Sequence, residues 1–199
     1  QQLDILTENT QSALQNVAPL EDEKTPVQIA PRVILFTGHR IDANGREKAR
    51  FPRTKETQAR ALIHDAVEAE KKKTTGQFLG IAGGASGGDI LFHEICQDLK
   101  IPTMHYLALP KNDYLKASVA DGGAQWVERF QRLCQMNNPI ILADADELPR
   151  WLRAKEGYSI WQRANLWMLH HALAKANDNL ILIALWNGDV GDGPGGTED

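Results

Sequence analysis

From Val33 onward the chain alternates between short unbroken apolar runs and longer stretches with apolar residues at helical spacing. The runs Val33–Thr37, Phe78–Ala82, Met104–Leu109, Pro139–Ala143 and Leu180–Trp186 each predict a strand. Between them, Thr54–Lys72, Gly87–Leu99, Ala124–Gln135 and Arg163–Lys175 predict helices. Their inward faces read as Ala59, Leu62, Ile63, Ala66 and Val67 on the first, and Leu91, Ile95 and Leu99 on the second. On the last helix, Leu166, Leu169, Ala172 and Leu173 read as inward. Strands without polar alternation, separated by helices, imply a mostly parallel sheet covered on both faces. The expected fold class is therefore α/β: a Rossmann-like three-layer sandwich with a mostly parallel sheet of about five or more strands.

Residues 1–30 stand apart. They are polar and weakly periodic, with Leu3, Ile5, Leu6, Leu14 and Val17 compatible with a short helix. Glu21–Pro31 reads as a linker, which leaves 31–199 as the folded domain. The chain opens at Gln1 and stops inside a glycine-rich stretch, so a fragment of a longer protein with linked domains is the expectation.

Composition narrows the function classes. With 199 residues and 42% hydrophobic content, the chain can bury a core. A net charge of −4 disfavours a broad nucleic-acid surface. The two cysteines, Cys96 and Cys134, are too few for a disulfide framework and read as reduced thiols on helices, which fits a cytoplasmic protein. No apolar run approaches the roughly 20 residues of a membrane-spanning helix, and no secretory signal leads the chain.

Ligands of open parallel sheets gather at the carboxyl ends of the strands, so the turns after the strands carry the argument. Gly38, His39 and Arg40 follow the first strand, Gly83 to Asp89 the second, and Asn187 to Thr197 the fifth. If the sheet is parallel, all three turns share one rim. In the second turn, Gly83, Gly84, Gly87 and Gly88 allow close backbone approach, and a helix begins at once, a combination suited to a phosphate. The alternative is a tight strand-to-helix turn with no ligand. Ser86 and Asp89 have capping-box spacing; Ser86 caps the helix, or bonds a phosphate while Asp89 takes a ribose hydroxyl. Arg40 is suited to a forked contact with phosphate, within a stretch made basic by Arg46, Lys48, Arg50, Arg53, Lys55 and Arg60. Gly195, Gly196 and Thr197 suit a second phosphate loop. The five tryptophans are mostly core candidates, with Trp186 also placed to stack on a base. The histidines lack metal-ligand spacing, and neither a zinc pattern nor a Walker A motif is present, so no cofactor or metal is expected.

The turns Gly38–Arg40 and Gly83–Asp89 resemble those of the SLOG superfamily, which includes the Lonely Guy phosphoribohydrolases and the DNA-processing protein A family. Ala82–Pro102 is similar to the glycine loop and helix of the latter, and Pro194–Thr197 to part of the P-G-G-x-G-T motif of the former. The likeness extends from about Val33 to Thr197 and resembles a bacterial domain found beside signalling or helical-repeat modules. It implies a Rossmann-like fold that binds a nucleotide or nucleotide sugar, with Gly83, Gly84, Ser86, Gly87, Gly88, Gly195, Gly196 and Thr197 holding phosphate. Thr197 is followed by Glu198 and Asp199, out of register with the glutamate of the phosphoribohydrolases.

Three functions are therefore carried forward. One is a binding or sensing domain for a nucleotide-like small molecule that regulates a linked domain; a homodimer is compatible with it. The second is an N-glycoside hydrolase acting on a nucleotide, for which Asp89 is the best-placed carboxylate, with Glu94 and Asp192 behind it. The third, DNA binding through Arg46–Arg60, is disfavoured by the acidic net charge.

Overall fold

A computed structural model describes residues 30–145 and 147–189. In chain order its elements are β1 (Arg32–Gly38), α1 (Glu56–Lys72), β2 (Phe78–Ala82), α2 (Gly88–Asp98), β3 (Thr103–Leu107), α3 (Lys111–Ser118), α4 (Ala124–Met136), β4 (Ile140–Ile141), α5 (Ile160–Ala176) and β5 (Leu180–Leu185). The strands form one sheet in the order β4-β3-β2-β1-β5, and every pairing is parallel. The α/β three-layer expectation is met.

β1 lies inside the sheet and sorts its residues by parity. Ile34 and Phe36 join the large core with Ile63 and Val67 of α1 and with Leu91, Phe92 and Ile95 of α2. Val33 and Leu35 face the other way, onto Met168, Ala172 and Ala176 of α5. The alternation is the strand period of two, with apolar residues on both faces because both are covered.

Right-handed crossovers explain which helix lies where. The chain steps from β1 to β4 in one direction, so the helices of those crossovers fall on one face; the return from β4 to β5 needs the opposite face, where α5 lies. Ser159 caps α5, its hydroxyl accepting from Gln162 N–H at 3.1 Å.

Several sequence expectations need correction. The inward face of α5 is Ile160, Ala164, Met168, Ala172 and Ala176, whereas Leu166 and Leu173 are 42% and 45% exposed. Small residues let the helix axis approach the sheet, which turns the leucines outward. Strand β5 lies at the sheet edge, with Leu182 exposed, although its composition reads as a buried strand. Leu62 of α1 is also exposed, beside the buried Ala59, Ile63 and Val67. Helix α3 was not anticipated, and the fourth strand shortens to two residues.

Cys96 and Cys134 are free thiols on helices, as expected, and burial pushes the Cys96 thiol up to about 12. Of the tryptophans, Trp126 is fully buried and Trp151 and Trp186 are exposed. Among the described residues no helix is long and apolar enough to cross a membrane.

Candidate ligand-binding site

Because β1, β2 and β5 are parallel, the turns that follow them share one rim, and hydrogen bonds join them there. His39 N–H donates to Leu185 O at 3.0 Å, linking the β1 turn to the end of β5. Gly88 N–H donates to His39 O at 3.0 Å and Ile41 N–H to Ser86 O at 2.8 Å, linking it to the β2 turn. Gly87 sits at φ +108° with its missing Cβ position 2.6 Å from Ile41 N, so both conformation and space demand glycine.

The interior of the β2 turn is filled by the protein. Gly84 N–H donates to the Tyr114 hydroxyl at 3.2 Å, Ala85 N–H to Asp89 Oδ2 at 3.2 Å, and Ser86 N–H to Ser118 O at 3.0 Å. A Cβ at Gly83 would stand 2.5 Å from Asp89 Oδ2, and one at Gly84 would collide with His105 Nε2. Gly38 and Gly88 need each other's small size, since a Cβ on Gly88 would lie 3.0 Å from Gly38 Cα. The open phosphate seat expected at Gly83–Gly88 is therefore corrected: these glycines make room for Asp89, His105 and a neighbouring backbone, and several amides already have acceptors. The capping box is corrected too. Gly87 is the N-cap of α2, and the Ser86 hydroxyl is buried beneath Gly122 with no hydrogen-bond partner among the described residues.

Electrostatics follow from this packing. Burial raises the Asp89 carboxyl to about 7, against the opposing pull of the Ala85 amide and the Arg40 charge. Burial lowers His93 to about 4, and the neutral ring bridges two structural groups: Nε2–H donates to Gly83 O and Nδ1 accepts from the Thr103 hydroxyl, each at 2.9 Å. His105 is held well below its ordinary value by burial and by His93. Arg40 is engaged by Asp121, its Nη2 lying 2.5 Å from both carboxylate oxygens.

Among the described residues, an open stretch of the rim lies at the β1/β5 boundary, where strand order reverses. A cleft of about 350 Å³ opens there. Phe51, Ala59, Leu62 and Leu185 supply its apolar surface. His39, Arg50, Lys55, Gln58 and Asn187 supply polar groups, and Trp186 completes the lining. Asp42 brings the arginine in: its carboxylate accepts from the backbone N–H groups of Arg50 and Phe51, both at 3.0 Å, which folds the loop after β1 back over the rim.

His39 connects the two sides of the cleft. Arg50 Nη2 can only donate, so Nδ1 of His39 accepts from it at 3.1 Å, and Nε2–H donates to Asn187 Oδ1 at 2.9 Å. Burial lowers the His39 pKa and the Arg50 charge adds to this, so the neutral tautomer that suits both partners is favoured.

Of the residues singled out from sequence, the structure thus brings Gly38, His39, Arg40, Gly83, Gly84, Ser86, Gly87, Gly88 and Asp89 to one rim. Of these, only His39 lines the cleft. Glu94 is not at the rim. It accepts from Arg60 and, in two bonds of 2.7 Å, from Arg129, at the junction of α1, α2 and α4. Burial would raise its pKa, but Arg129 and Arg60 outweigh that and hold it low, so it serves as an ion-pair anchor. Asp192, Gly195, Gly196 and Thr197 lie outside the described residues. Sequence reasoning missed Gln58 and treated Arg50 and Lys55 only as part of a basic stretch; their helical or loop positions carry no motif. Much of that stretch is committed internally: Arg53 donates to Gly122 O at 2.6 Å and Arg60 to Glu94 and Asp98.

No protein-family model, no curated protein and no solved structure matches this chain.

Proposed function

We propose that the domain binds a phosphate-bearing, nucleotide-derived ligand in the β1/β5 cleft and serves as a sensor for linked domains. The observation that carries this reading is position combined with chemistry: the cleft lies where strand order reverses, at the carboxyl ends of parallel strands, and is lined by Arg50 and Lys55. Its volume of about 350 Å³ suits a mononucleotide-sized ligand. The resemblance to the SLOG superfamily supports the same class of ligand.

The test is calorimetry and thermal denaturation with AMP, ADP and ADP-ribose. At a ligand concentration 100 times Kd, binding adds about 2.7 kcal/mol of stability. Arg50→Ala and Lys55→Ala should each weaken binding. The absence of any heat or thermal shift with all three compounds at millimolar concentration overturns the reading.

A second reading, N-glycoside hydrolysis, draws support from Asp89, whose carboxyl near 7 suits proton transfer at neutral pH. Asp89 is not part of the cleft lining, which places this reading second. Release of free base from a nucleotide, followed by chromatography and abolished by Asp89→Asn, distinguishes it.

A further inference from the structure

We propose that Trp186 is a stacking platform for an aromatic base, so that the cleft selects nucleoside phosphates over sugar phosphates. The inference rests on the ligand-binding reading above and adds the part of the ligand that the cleft recognises besides phosphate.

Three observations place the platform. Trp186 follows β5 directly and lines the cleft, with 51% of its surface exposed and so open to a ligand. Its indole N–H donates to Asp189 O at 2.8 Å, which tethers the ring by its edge and leaves the ring face out of that contact. The turn carrying it is itself braced: Asp189 N–H donates to Asn187 Oδ1 at 3.2 Å, and Lys48 Nζ lies 3.3 Å from Asp189 Oδ2. A ring held in one orientation loses little freedom when a base stacks on it.

The walls of the cleft divide the work. Trp186, Leu185 and Asn187 come from the β5 end, whereas Lys55 and Gln58 come from the start of α1 and Arg50 from the loop before it. A ligand spanning the cleft would place its base against Trp186 and its phosphate toward Arg50 and Lys55. The Nδ1 and Nε2 atoms of His39 are engaged by Arg50 and Asn187, so His39 holds the two walls together.

The experiment compares AMP with ribose 5-phosphate on the wild-type chain, Trp186→Phe and Trp186→Ala, by calorimetry. Because Trp186 is exposed, far-UV circular dichroism and thermal midpoints should match across the three proteins. Wild type should bind AMP more tightly than ribose 5-phosphate by about 10- to 100-fold, the span expected for one stacked base. Trp186→Phe should keep most of that ratio. Trp186→Ala should bring AMP close to ribose 5-phosphate and leave the latter unchanged. Equal affinities in the wild type, or an unchanged AMP affinity in Trp186→Ala, overturn the stacking platform while leaving phosphate binding in place. Failure of both compounds to bind the wild type removes the ligand-binding reading, and the platform with it.

Discussion

Replacing Asp89 by Asn should stabilise the protein at alkaline pH and leave it nearly unchanged in acid. Asp89 is partly buried, its carboxyl packed against Gly83 with Oδ2 accepting from Ala85 N–H. Burial raises it from 3.8 to about 7. A carboxyl raised on folding contributes stability that is fully present below its unfolded value, here 3.8, and is lost as pH rises through about 7. At about 1.4 kcal/mol for each pH step of one, that interval gives an upper limit of about 4 kcal/mol lost by pH 9. Asparagine has nearly the same shape and keeps an oxygen for Ala85 N–H, yet never ionises. The advantage of Asp89→Asn over wild type should therefore be near zero at pH 4, grow between pH 4 and 7, and level off above. Urea denaturation of both proteins at several pH values reads this difference directly. Their shared histidines cancel in the comparison, including His93, held near 4, whose stabilising neutrality is lost in both as pH falls below 6.5. A pH-independent difference, or a less stable Asp89→Asn at pH 9, would show that the carboxylate is comfortably ionised and refute the burial argument.

Two further substitutions probe the packing of the rim and the junction beside it. Gly84→Ala drives a methyl group into the buried His105 ring, and overpacking of this kind costs about 1–3 kcal/mol. Chemical denaturation should show the loss at neutral pH, and an unaltered midpoint would mean that the ring has room to move aside. Glu94→Gln breaks a cluster in which Arg60 and Arg129 converge on one partly buried carboxylate. It should lower stability by about 2 kcal/mol, between the exposed-pair and buried-pair limits, while AMP affinity measured by calorimetry stays the same.

Much of the fold was legible because two periods sufficed. Unbroken apolar runs gave the strands, and one-sided helices such as α2 declared both their type and their buried row. α5 shows where periodicity stops. With Ile160, Trp161, Leu166, Trp167, Met168, Leu169 and Leu173 it is apolar nearly all round, so spacing alone cannot choose its inward side. The sheet chooses, by favouring the stripe of Ala164, Ala172 and Ala176 that lets backbones approach. α3 went unseen for the opposite reason: in Lys111–Ser118 only Tyr114 and Leu115 are large and apolar, too few to declare a face. β5 misled because composition records what a strand can bury, whereas its neighbours decide what it does bury. Its register on β1 pairs Leu182 with the buried Leu35, but no strand among the described residues flanks its other edge.

The site was legible in its rim and illegible in its depth, and one topological fact accounts for both. Between β1 and β2 the connecting helix and the next one lie on the same face, so the two turns must pack against each other. Gly38 beside Gly88, and Gly87 beside Ile41 N, are what such packing requires. A glycine reports that a Cβ has no room; it does not report whether a ligand or a side chain of the same protein takes the space. Between β1 and β5 the situation reverses. The chain leaves β1 toward α1 on one face and arrives at β5 from α5 on the other. Two turns diverging to opposite faces leave a crevice among the described residues where the order changes. Its lining comes from the loop after β1, the first turns of α1 and the end of β5, three segments far apart in sequence that share no spacing. Among the described residues, Gly83, Gly84, Gly87 and Gly88 mark a closed part of the rim, and strand order marks an open one.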